Sequence, residues 1–100
     1  MNKVFSMVGL ATRAGKTVAG EFSVEKAVKQ RKAKLVLVST EASDNTKKLF
    51  ENKCNYYEVP FYTYGTRAEL GSATGNKDRV SIAILDSEFS KSIIQLINRK

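Results

Sequence analysis

Gly20-Glu21-Phe22-Ser23 stands just before Val24 and Lys26, where apolar spacing marks the start of a helix. A helix start leaves backbone N–H groups unpaired and carries partial positive charge, so the chemistry it offers is the binding of an anionic ligand. Lys26, Lys29, Arg31, Lys32 and Lys34 continue from it as the densest basic cluster in the chain. Lysines and arginines in that setting position phosphates, while polar side chains of the first turn read base edges. Lys16, ahead of the junction, and Lys77 and Arg79, in a later polar loop, are expected to flank the same end of a small sheet. The bland alternative for such a charge run is a solvated helix face.

Other chemistries find little material. The chain has no histidine and a single cysteine, which removes the commonest general base, the commonest metal ligand and any intrachain disulfide. Cys54 follows Leu49 and Phe50 at an apolar helical position, as a small core residue would. Gly15-Lys16-Thr17 resembles part of a phosphate-binding loop, but that loop needs a glycine where this chain has Leu10. It also joins a strand to a helix, and here the order is reversed. No pair of carboxylates stands at a spacing suited to acid–base work. No catalysis, metal or cofactor is expected. Tyr56, Tyr57, Phe61, Tyr62 and Tyr64 offer ring faces for bases. Without interleaved cations they fit better as an aromatic strand with half its side chains in the core.

The elements that must position these residues alternate along the chain. Val4, Met7, Val8 and Ala11, with Phe5 beside them, mark a helix over 2–14 that Gly15 ends. Thr17 to Ala19 is a brief strand. Val24, Ala27 and Val28 are the buried stripe of the second helix. Leu35-Val36-Leu37-Val38 reads as a central strand buried on both faces. Ser43, Asp44 and Asn45 supply caps for a helix with Thr46, Leu49, Phe50 and Cys54 inward. Val59 to Tyr64 is a strand entered at Pro60, and Thr66 with Glu69 is a capping-box pattern. Val80 to Leu85 is a fourth strand. Asp86 caps a last helix with Phe89, Ile93, Leu96 and Ile97 on one face and Asn98-Arg99-Lys100 at its end.

One hundred residues suit a single domain over 1–100, and helices alternating with strands define an α/β fold, a small sheet between helices. A net charge of +7 on so small a body implies a polyanionic partner. No stretch approaches the ~20 apolar residues of a membrane span, so no membrane is expected. The lone cysteine and the lack of a convincing leader at residues 1–16 fit a cytoplasmic protein.

Gly20 to Val36, Val59-Pro60-Phe61, the turn Glu69-Leu70-Gly71-Ser72-Ala73-Thr74-Gly75 and the strand Val80 to Leu85 together resemble the kink-turn RNA-binding family of ribosomal proteins L-seven-Ae and L-thirty-e. Residues 9–16 and 42–57 look like its bacterial YlxQ-type members in particular. The resemblance covers nearly the whole chain. It implies a three-layer α/β/α sandwich with a small four-stranded mixed sheet, and a non-catalytic protein that recognises structured RNA. In that family a sharply bent RNA presents tandem sheared G·A pairs to the second helix, and a loop before the last strand packs near a flipped-out base. Binding of this kind reads shape and exposed bases.

Carried over residue by residue, the resemblance matches the family's opening glycine to Gly20 and its helix lysine to Lys26. Phe22 and Ser23 stand where archaeal members have an Asn-Glu pair, Glu25 where they have Thr, and Asn76-Lys77-Asp78-Arg79 where they have apolar residues and proline. These departures predict a narrower RNA target or weaker affinity. The expected RNA-binding set is Lys16, Gly20, Glu21, Phe22, Ser23, Lys26, Lys29, Lys77 and Arg79, in a monomer whose partner is ribosomal RNA or another RNA with a kinked internal loop. The rival readings are a ribosome-associated factor that binds RNA without a kink, and a protein-interaction adaptor whose charge is incidental.

Overall fold

The structure is a computed structural model and describes residues 2–99; Lys100, assigned above to the basic end of the last helix, lies outside them. Along the chain run α1 (Lys3–Arg13), β1 (Thr17–Ala19), α2 (Glu21–Lys29), β2 (Leu35–Val38), α3 (Asp44–Tyr56), β3 (Phe61–Thr63), α4 (Arg67–Ala73), β4 (Ser81–Ile84) and α5 (Ser87–Asn98). Two expected strands are shorter than their apolar patterns. Val59, Pro60 and Tyr64 stay outside β3, and Val80 and Leu85 outside β4.

The four strands form one mixed sheet in the order β1-β4-β2-β3. β4 runs antiparallel to both β1 and β2, and β2 pairs in parallel with β3. Side chains alternate across the sheet, so β2 feeds two cores at once. Val36 and Val38 pack with Val24, Val28, Phe50 and Cys54 under α2 and α3. Leu35 and Leu37 pack with Val4, Val8, Leu70, Ile82, Ile84 and Ile93 under α1, α4 and α5. That double duty explains the uninterrupted apolar run. The result is the expected three-layer α/β/α sandwich of the L-thirty-e-like type.

One inward assignment fails. Leu49 is 36% exposed, while Phe50 and Cys54 are fully buried. The buried stripe of α3 is set by Phe50 and Cys54, four residues apart, and Leu49 is rotated about 100° away from it. Of the aromatics expected to sit half in the core, Phe61 and Tyr62 of β3 and Tyr64 just after it are half-buried, Phe61 against the α2–α3 core and the two tyrosines against the other. Tyr56, by contrast, ends α3 and is exposed.

Four of the five helices carry a side-chain cap. Asn2 accepts the Val4 N–H, Ser43 that of Thr46, Asp86 that of Phe89, and Thr66 with Glu69 completes the capping box of α4. Helix α2 begins at Gly20 and has none.

Candidate nucleic-acid interface

Gly20 turns the chain from β1 into α2 at φ 97° and ψ 149°, a conformation in which an L side chain is strained. Its N–H donates to the Ser81 carbonyl at 3.0 Å, and its carbonyl accepts the Val24 N–H at 2.9 Å. The first bond locks the junction to the start of β4. The second is the first turn of the helix. The N–H groups of Glu21, Phe22 and Ser23 point out of the helix start, where the side chain of an N-cap would ordinarily receive one of them. All three residues are exposed, Phe22 at 79%.

The register of β1 on β4 puts the loop before β4 at this same end of the sheet. That loop is tied down on several sides. Asn76 N–H donates to the Gly71 carbonyl at 2.7 Å, Arg79 N–H to the Arg67 carbonyl at 3.0 Å, and Ser39 N–H to the Val80 carbonyl at 2.8 Å. The Arg67 guanidinium pairs with the Asp78 carboxylate at 3.0 Å, and the Arg67 N–H donates to Glu41 Oε1 at 2.9 Å. Arg79 folds back, with Nη2 donating to Asn76 Oδ1 at 3.0 Å. Lys77 is exposed and, among the described residues, makes no ion pair.

Lys16 is elsewhere, contrary to expectation. Its carbonyl accepts the Leu85 N–H at 2.8 Å, and Lys34 N–H donates to the Ile84 carbonyl at 2.7 Å. Both lysines therefore flank the far end of β4. The length of β1, at roughly 3.3 Å per residue, separates Lys16 from the Gly20 junction. The helix after Gly20 runs back along the sheet, so it cannot carry its basic residues to that junction alone.

On α2 itself, Phe22, Glu25, Lys26 and Lys29 share one outward face and line a shallow groove of about 260 Å³ with Gln30. Glu25 does not stand there as a free negative charge. Lys53 of α3 reaches it at 3.1 Å and Lys29 at 3.5 Å. The hydrogen bond from Lys53 holds the Glu25 carboxyl below the usual range, against partial desolvation and with help from Lys29. Lys29 stays half-exposed despite the pair, and Lys26 is exposed.

The structure thus brings together Gly20, Glu21, Phe22, Ser23, Lys77 and Arg79 at one sheet end, extends the surface along α2 through Lys26 and Lys29, and leaves Lys16 out. Sequence reasoning missed Lys53, Glu41 and the Arg67–Asp78 clamp, all long-range partners that no local pattern announces. It also passed over the role of Gly71, although a glycine inside a helical pattern is a signal of close approach.

An α/β/α sandwich with an uncapped second helix beside a clamped loop is the frame of an L-thirty-e-like protein, and known proteins match it. Residues 2–94 match the family described as Ribosomal protein L7Ae/L30e/S12e/Gadd45, and the chain belongs to that family. It is 44% identical over 94 residues to the RNA-binding protein YlxQ of Bacillus subtilis (strain 168), covering 94% of each chain. It is 40% identical over 95 residues to the RNA-binding protein YlxQ of Enterococcus faecium, covering 95% of this chain and 91% of the relative. A solved structure of a protein with unknown function from Bacillus halodurans C superposes with a TM-score of 0.96 at 38% identity, covering 99% of this chain and all of that one. The expected kinship with YlxQ-type members holds.

Among the described residues no helix is long and apolar enough to cross a membrane.

Proposed function

We propose that the chain is a non-catalytic RNA-binding domain over residues 1–100 that acts as a cytoplasmic monomer on structured RNA, ribosomal or ribosome-associated, with a kinked internal loop. The observation that carries this reading is the uncapped start of α2, held by the Gly20–Ser81 hydrogen bond beside the loop at Lys77. Its unpaired N–H groups and partial positive charge suit phosphate or base-edge acceptors. Membership in a family whose YlxQ relatives are named RNA-binding proteins supports the ligand class.

In this reading Gly20 lets the RNA backbone approach, and Glu21 and Ser23 meet base edges in the first turn. Phe22 lies against a base or sugar. Lys26 sits by the guanines or their backbone. Lys29, Lys77 and, less freely, Arg79 neutralise phosphates. Lys16 falls out of the contact set by its position. Neutralising three to five phosphates makes affinity fall with salt by a log–log slope of roughly −0.7 to −0.9 for each.

The test is a titration of the protein against a kink-turn RNA and a duplex of equal length. Tighter binding of the kinked RNA is the expected result. Equal affinity reduces the site to a basic surface, and no binding of either overturns the reading.

A further inference from the structure

Four helices end in the same hydrogen-bonded turn, in which the second residue past the C-cap reaches back around the last carbonyls. In α1 and α4 the residue that must adopt positive φ is glycine, Gly15 at 73° and Gly75 at 76°. In α2 and α3 it is Arg31 at 60° and Glu58 at 59°. Arg31 N–H donates to Val28 O at 3.0 Å and Lys32 N–H to Ala27 O at 2.9 Å, so the motif is fully formed around a residue poorly suited to it. Glycine is the unstrained choice there. A side chain kept against that preference calls for a use of the side chain.

The Arg31 guanidinium lies 5.4 Å from the centroid of the Tyr57 ring. Tyr57 in turn meets Tyr56 edge to face, centroids 4.9 Å apart. Tyr56, the last residue of α3, leaves 77% of its surface in water, an exposure matched among the large apolar side chains of the described residues by Phe22, at the other end of α2. Lys29 on α2 and Lys53 on α3 both pair with Glu25, so the three groups together keep one net positive charge. Glu25 and Glu58 oppose this charge, but Lys29, Arg31, Lys32 and Lys53 outnumber them two to one. Phe22 and Arg31 stand at opposite ends of α2, a helix of nine residues, about 14 Å at 1.5 Å each.

Exposed rings on a cationic track match an unpaired nucleic-acid strand, whose bases stack and whose phosphates need counter-charge. We propose that the C-terminal ends of α2 and α3 form a second RNA contact, in which an unpaired nucleotide stacks on Tyr56 and its phosphates meet Arg31, Lys29 and Lys53. The contact extends the function proposed above and rests on it for the ligand class. RNA gripped at Gly20 would follow α2 to this platform.

Fluorescence anisotropy with three labelled RNAs tests it: a kink-turn ending flush, the same RNA with a short oligouridine tail, and the tail alone. The tailed RNA is expected to bind roughly tenfold tighter than the flush one, the scale of one base–aromatic stack. Tyr56→Ser and Arg31→Gly should erase that advantage and leave flush affinity unchanged, while Tyr56→Phe keeps it. Arg31→Gly should unfold at the same or higher urea concentration, which separates lost contact from lost fold. A tail that adds nothing, or an advantage that survives both variants, overturns the proposal and leaves the rings to a protein partner. If the flush RNA is not bound, the function proposed above fails, and the tail alone decides: binding abolished by both variants upholds the platform, and no binding refutes it.

Discussion

Gly71 and Asp78 touch backbone to backbone. A Cβ placed on Gly71 would meet the Asp78 nitrogen at 2.6 Å, and neither helix α4 nor the loop has a flexible side chain to move aside. The loop beside the Gly20 junction is therefore seated on a helix that is missing a side chain at one point. Gly71→Ala should cost about 1–3 kcal/mol, the range of overpacking a tight site, read from urea unfolding. It should also weaken kinked-RNA binding beyond a control of equal stability, because the loop carrying Lys77 must shift. Asp78→Ala, which only frees the exposed Arg67, should cost no more than about 1 kcal/mol.

Gly20 presents the opposite case. A Cβ there would have open space around it, so the restriction is one of backbone conformation. Gly20→Ala is expected to destabilise the fold by about 1–3 kcal/mol through strain at positive φ, measured by the same unfolding titration. If the variant unfolds like wild type, the junction is not held as described.

Lys26→Ala and Lys16→Ala separate the two sheet ends. Removing Lys26 should lower affinity for kinked RNA and reduce the salt slope by about one phosphate's worth. Removing Lys16 should change neither. A comparable loss from both variants would mean that RNA wraps to the far end of β4.

The two shifted groups act at opposite pH extremes. Lys53 and Lys29 keep the folded Glu25 carboxyl below its ordinary value of 4.5, so the folded state holds that proton less tightly than the unfolded one. Its stabilising contribution is complete above that ordinary value and disappears as pH falls through the lower folded one. The stability gap between wild type and Glu25→Gln should therefore close on acidification. Both groups of the pair are partly exposed, so the gap at neutral pH should be no more than about 1 kcal/mol.

Burial pushes the Cys54 thiol up from 9.0 to about 11, so the folded state keeps its proton longer than the unfolded chain does. Cys54 thus favours folding fully below pH 9, and the benefit drains away as pH rises towards 11. Its thiol should react with iodoacetamide far more slowly in the native protein than in urea at neutral pH.

Much of this architecture is written locally. The stripe Val24, Ala27, Val28 places α2, the run Leu35 to Val38 reads as a strand covered on both faces, and Thr66 with Glu69 announces α4 by its own hydrogen bonds. Register is a different kind of information. Whether Lys16 or Gly20 neighbours the loop before β4 depends on β1 running antiparallel to β4, a pairing between segments more than sixty residues apart in sequence. Lys53 reached Glu25 in the same non-local way. Charge type could be read in the sequence, whereas the partner of each charge required the sheet order.

That order has a consequence for the chain as it is made. Among the described strands β1 leaves the ribosome first, yet the strand it pairs with is β4, which leaves last. Until Ser81 emerges, the Gly20 N–H has no Ser81 carbonyl to hold it, and β1 has no ladder to join. The junction that opens α2 is consequently among the last parts of the molecule to acquire its shape. Nascent chains long enough to display every lysine of α2 still lack the turn that aims them, so charge is on view well before recognition is complete.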